Sequence, residues 1–132
     1  MIRESVRSSR VVLLVEDEAE LRDLVRQVLE ADGYTLLVAR DGEEALQICG
    51  RQTGSIDLVV TDVLMPRMSG PELVKRLSQS QPAMKVLYIS GYADEKTASA
   101  YGFGGPLLRK PFSLDALARE VREMLSPPTD RS

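Results

Sequence analysis

Short continuous apolar runs recur along the chain, separated by segments whose apolar residues repeat at helical spacing. VVLLV at 11–15 has the length and composition of a strand covered on both faces. After it Leu21, Leu24, Val25, Val28 and Leu29 fall at i, i+3, i+4, i+7 and i+8, one face of a helix that Gly33 can close. YTLLVA at 34–39 predicts a second strand. Asp41 with Glu44 three residues on has capping-box spacing, opening a helix through Ala45, Leu46, Ile48 and Cys49. DLVVTD predicts a third strand that stops on Asp62, and Gly70 and Pro71 start a helix carrying Leu73, Val74 and Leu77. KVLYIS at 85–90 and LLRK at 107–110 predict the last two strands, with a weak polar helix at 94–101 between them. Ser113 caps a final helix whose buried face holds Leu114, Leu117, Ala118, Val121 and Leu125.

Five strands alternating with five helices imply an α/β domain, a doubly wound parallel sheet with helices on both faces. The domain is expected to run over 10–126. Residues 1–9 read as a flexible polar segment, and 127–132 as a Pro-rich disordered tail. The total of 132 residues suits one domain.

Composition narrows the chemistry. The net charge of −3, with both signs spread along the chain, leaves no electrostatic footprint for nucleic acid or an anionic membrane. No apolar run approaches a membrane span, and the single Cys49 excludes a disulfide framework, so a cytoplasmic protein is expected. There is no histidine, which removes Ser-His-Asp and Cys-His catalysis and His-ligated zinc. What remains is carboxylates, hydroxyls, lysine and a metal held by oxygen.

In doubly wound sheets ligands bind beyond the carboxyl ends of the strands. There the first strand ends in Glu16, Asp17 and Glu18, the third in Asp62, the fourth in Ser90 and the fifth in Lys110. Carboxylates so gathered must raise a pKa or hold a cation, since unit charges 4 Å apart repel by about 4 kcal/mol at an effective dielectric near 20. Oxygen ligands alone favour a hard ion, Mg²⁺ above all. A lysine, a hydroxyl and a spare carboxylate beside it are what phosphoryl transfer to that carboxylate needs. Taken singly, each group has a plainer reading: acidic residues before a helix answer its dipole, and Ser90 before Gly91 is a turn residue. Their joint placement at strand ends is what separates the two readings. GFGG at 102–105 lacks the spacing of a dinucleotide fingerprint and reads as a turn, and Cys49 reads as a small core residue.

LLVEDE, DLVVTDVLMPRMSG, VLYISGY and LLRKPF, in that order over residues 10–125, resemble the receiver domain of bacterial response regulators, particularly those attached to hybrid histidine kinases. The resemblance implies a flavodoxin-like fold with strand order 2-1-3-4-5. It implies phosphoryl transfer to an aspartate from a phosphohistidine on a histidine kinase or histidine phosphotransfer protein. Asp62 then matches the phosphoacceptor, Glu16 and Asp17 the acidic pair for Mg²⁺, and the Leu64 backbone carbonyl a further metal ligand. Ser90 matches the switch hydroxyl and Lys110 the lysine that pairs with phosphoryl oxygens. Such a domain catalyses only its own phosphorylation and dephosphorylation, and is a substrate more than an enzyme. With no output domain expected after Leu125, readout falls to a downstream partner or a parent chain; pairing of two copies through the fourth and fifth helices is left open.

One position departs from the family pattern. Leu107 stands where many receivers carry an aromatic switch residue, so aromatic switching is not expected. Leu64 and Tyr92 lie where family members tune water attack on the phosphoaspartate, and their bulk implies a long-lived phosphorylated form. An aspartate-nucleophile phosphohydrolase would need a second acid where Leu64 stands. A degenerate receiver that only binds partners would not need Glu16, Asp17, Asp62, Ser90 and Lys110 together.

Overall fold

The computed structural model describes residues 10–51, 54–91 and 106–126. Five strands, β1 (Val11–Val15), β2 (Thr35–Ala39), β3 (Leu58–Asp62), β4 (Lys85–Ser90) and β5 (Leu107–Arg109), form one parallel sheet in the order β2-β1-β3-β4-β5. Among the described residues there are four helices: α1 (Ala19–Ala31), α2 (Gly42–Arg51), α3 (Gly70–Ser78) and α4 (Leu114–Leu125). The weak helix expected at 94–101 lies outside the described residues, as do the GFGG turn, Tyr92 and both chain ends. The second strand starts one residue later than its apolar pattern suggests, and the fifth ends at Arg109 rather than Lys110.

The apolar runs are continuous because alternate residues serve different layers. Val12, Leu14, Leu58, Val60, Leu87 and Ile89 pack on one sheet face with Val25 and Leu29 of α1 and Leu117, Val121 and Leu125 of α4. Leu13, Val15 and Val59 face the other way, onto Ala45 of α2 and Leu73 and Leu77 of α3. A strand buried on both sides leaves no polar alternation to read. Handedness assigns the helices to faces. The chain leaves β1 for β2 in one direction and returns from β2 to β3 in the other, so right-handed crossovers put α1 and α2 on opposite sides.

The helix ends are set by local chemistry. Gly33, at φ 99°, lets α1 end with Tyr34 N–H bonded to Leu29 O at 3.3 Å and Gly33 N–H to Glu30 O at 2.9 Å, a Schellman closure. The Ser69 and Ser113 hydroxyls accept from Glu72 N–H at 3.2 Å and Ala116 N–H at 3.0 Å, capping α3 and α4. The helical stripe on α1 is narrower than its sequence suggests: Leu24 is 48% exposed and lines a recess with Leu21, Pro111 and Phe112 beside Lys110.

Candidate functional site

Register alone brings the chemical groups to one rim. Val15 is level with Thr61, so Glu16 follows one step beyond on β1 as Asp62 does on β3. Asp62 is level with Ile89 and Ser90 with Arg109, which sets Ser90 and Lys110 at the same edge. The Lys110 N–H donates to the Ser90 carbonyl at 2.8 Å, extending the ladder one residue past β5, and the Lys110–Pro111 peptide is cis.

At this rim the Lys110 ammonium lies 3.3 Å from Asp62 Oδ1 and 3.7 Å from Glu16 Oε1. Carboxylate oxygens of Glu16, Asp17 and Asp62 lie within 4.8 Å of one another. Glu16 and Asp62 are 1% and 3% exposed, whereas Asp17 faces solvent. Glu16 Oε2 accepts from Glu18 N–H at 3.0 Å, and Arg22 Nη1 donates to the Glu16 carbonyl at 2.9 Å, fixing the turn into α1. On β3 the Thr61 hydroxyl donates to the Asp62 carbonyl at 3.0 Å.

Electrostatics make the pocket unstable as a set of bare anions. Burial, reinforced by the Glu16 charge, pushes the Asp62 carboxyl up to about 8 against the pull of Lys110. Burial raises Glu16 too, opposed by the Glu18 amide and Lys110. Burial acts to lower Lys110, but Asp62 and Glu16 outweigh it and the ammonium is held above its ordinary range. Three carboxylates against one ammonium leave two negative charges when all are ionised. Glu16 Oε1 and Asp62 Oδ1 are buried and accept no aligned hydrogen bond among the described residues. Both face the Lys110 ammonium, but one cation shared between two buried anionic oxygens leaves them short of hydrogen bonds, which is costly. An oxygen-only set with that excess charge fits a hard divalent cation.

Ser90 is fully buried at the rim, but its hydroxyl donates to the Gly91 carbonyl at 3.1 Å and is not turned to Asp62. Leu64 follows Asp62 by two residues with its side chain 42% exposed. Leu107 is 40% exposed at the start of β5, on the outer edge of the sheet.

The sequence reading missed several residues that hold the site. Arg22 was detectable as a cation one helical turn past the acidic loop; Thr61 stood out as a hydroxyl in an aliphatic strand. Gly70 is needed for a reason other than turn geometry, since a Cβ there would collide with the Asp62 carbonyl oxygen. The left-handed position of that turn belongs instead to Arg67, at φ 68°. Arg67 reaches Asp41, with Nη2 2.8 Å from Oδ2, a partner that sequence separation conceals.

Known proteins resemble this chain in sequence and fold. The family described as "Response regulator receiver domain" matches residues 12–122. Sensor kinase CckA of Brucella abortus (strain 2308) is 43% identical over 123 residues, which cover 89% of this chain and 13% of the kinase. Transcriptional regulatory protein CpxR of Escherichia coli (strain K12) is 32% identical over 115 residues, 86% of this chain and 48% of CpxR. The chain thus spans at most about half the length of these relatives. The crystal structure of the receiver domain from hybrid histidine kinase CckA superposes with a TM-score of 0.74 at 36% identity, over 88% of this chain and 99% of that one. With a sheet of order 2-1-3-4-5, an acidic cluster at its carboxyl edge and a family match over most of its length, this chain belongs to the response regulator receiver domain family.

Proposed function

We propose that Asp62 is the phosphoacceptor of a two-component phosphorelay. The observation that carries this reading is one buried carboxylate at the end of β3, with an ammonium 3.3 Å away and two further carboxylates close by. Receiver domains of two-component systems interact with histidine kinases or histidine phosphotransfer proteins, and either would supply the phosphohistidine. An Asp62 carboxylate oxygen attacks the phosphorus in line, the P–O bond forms as the P–N bond breaks, and the imidazole leaves to the donor. Glu16, Asp17, Asp62 and the Leu64 backbone carbonyl would hold Mg²⁺. When bound, the ion supplies positive charge for the phosphoryl oxygens.

Lys110 plays two parts in this scheme. Before transfer it offsets the charge of Asp62 and Glu16; afterwards it pairs with a phosphoryl oxygen. Ser90 completes the switch by turning its hydroxyl from the Gly91 carbonyl to the new phosphoryl group, carrying the change along β4 and β5. The domain, over residues 10–126, acts as a cytoplasmic substrate with its own catalytic groups, read out by a downstream protein. The likeness to CckA favours a parent chain of the hybrid kinase type.

The test is acceptor chemistry. Incubated with Mg²⁺ and a phosphorylated histidine phosphotransfer protein, the chain takes up one phosphoryl group that alkali and hydroxylamine remove, and Asp62→Asn takes up none while keeping its circular dichroism. Labelling that persists in Asp62→Asn would assign the acceptor elsewhere.

A further inference from the structure

Among the described residues Arg67 alone of the non-glycines has a positive φ, 68°. The left-handed region crowds a side chain against its own carbonyl, and Gly or Asn takes it most readily. Arg67 nevertheless stands there, and its guanidinium meets Asp41 at 2.8 Å across two loops. The other Asp41 oxygen, Oδ1, accepts from Glu44 N–H at 2.9 Å, so one carboxylate is shared between the first turn of α2 and the loop after β3. Next to it the Met68 side chain lies against Gly42, in the space a Cβ would need.

That loop, residues 63–70, carries Leu64. Its start is tied to the sheet by Val63 N–H to Ile89 O at 3.0 Å, and it closes on itself by Gly70 N–H to Val63 O at 2.8 Å. Between these anchors Arg67 and Met68 provide its attachment to α2. As a stability device the pair is poor, because the Arg67 side chain is 66% exposed and ion pairs so placed contribute little. A residue in a disfavoured backbone state that returns little stability has its effect in where it holds the chain.

We propose that the Arg67–Asp41 pair is a latch that positions the β3–α3 loop, setting the Leu64 carbonyl in place beside Glu16, Asp17 and Asp62 for the divalent ion. The proposal rests on the phosphoacceptor reading of that site. Arg67 is a positioning residue, since its side chain is engaged by Asp41 and acts on the ion through the loop.

The experiment uses the whole chain with Arg67→Asn, Asp41→Asn and both together. Asn retains the left-handed backbone at 67 and the capping oxygen at 41. Calorimetric titration with Mg²⁺ alone should show binding about fivefold weaker in each single variant and no weaker again in the double variant. Arg67→Lys, which keeps the charge, should recover most of the affinity. In EDTA the thermal midpoint of Arg67→Asn should stay that of the unsubstituted protein, while its Gly70 amide exchanges hydrogen faster. Unchanged Mg²⁺ affinity in Arg67→Asn, or losses that add in the double variant, would overturn the latch. If the unsubstituted chain takes up no Mg²⁺, the phosphoacceptor reading falls, and unchanged Gly70 exchange in metal-free Arg67→Asn would separately remove the latch.

Discussion

Asp62 is ionisable, nearly excluded from water and next to a second acid, and its environment has a measurable cost. Burial and the neighbouring Glu16 charge push its carboxyl up to about 8 from an ordinary 3.8. The native state therefore keeps a proton that the unfolded chain has already lost. Through Asp62, metal-free stability is fully present below about pH 4 and is lost as pH rises to about 8. Removing the charge with Asp62→Asn should stabilise the metal-free protein by about 1–2 kcal/mol at pH 8 and flatten this slope, read by urea unfolding in EDTA across pH. Leu64 belongs to the same scale. Its bulk, two residues after Asp62 in the chain, is expected to hinder water, so the isolated phosphorylated domain should lose phosphate slowly, and Leu64→Ala should hasten the loss by several-fold. Fast magnesium-dependent loss in the unsubstituted chain would contradict this.

At the scale of elements, the loop between β3 and α3 shows how backbone approach, more than side chains, builds the site. Gly70 begins α3 directly against the Asp62 carbonyl, and Ser69 caps the helix with its hydroxyl on Glu72 N–H. A methyl group at Gly70 must push α3 away from β3 or distort Asp62. Gly70→Ala is therefore expected to destabilise the fold by about 1–3 kcal/mol, visible as a lower urea midpoint, and to weaken phosphorylation as well. The elements themselves were legible: β4 runs over KVLYIS as the apolar pattern predicts, and the caps at Asp41 and Ser113 are made by the residues expected. Where the reading went astray, the reason was packing. Leu24 has the spacing of a core residue, but it stands at the margin of the stripe and lines an open recess with Phe112 and Lys110.

For the whole molecule, the two negative charges left in excess once Glu16, Asp17 and Asp62 are all ionised link stability to cation binding. Mg²⁺ at one hundred times its dissociation constant should stabilise the fold by about 2.7 kcal/mol. The gain in thermal midpoint should be larger at pH 8 than at pH 5, because protons on Glu16 and Asp62 compete with the ion at the lower pH. EDTA should abolish it, and Asp62→Asn should reduce it. An equal shift at both pH values would show that the ion binds elsewhere.

The sequence by itself determined the order of the strands and of the described helices, most of their boundaries and the six residues at the strand ends. Those follow from local rules: apolar period, capping hydroxyls, and glycine where φ turns positive. It could also place Glu16, Asp62 and Lys110 at one edge, because parallel strands point the same way. Only the tertiary structure decided how these groups face each other. It showed the ammonium closer to Asp62 than to Glu16, the Ser90 hydroxyl turned to Gly91, and Arg67 joined to Asp41 across 26 residues. The Lys110 and Arg67 pairings depend on register between strands and on loops meeting above the sheet, and no local pattern of residues encodes a distance between segments so far apart in the chain.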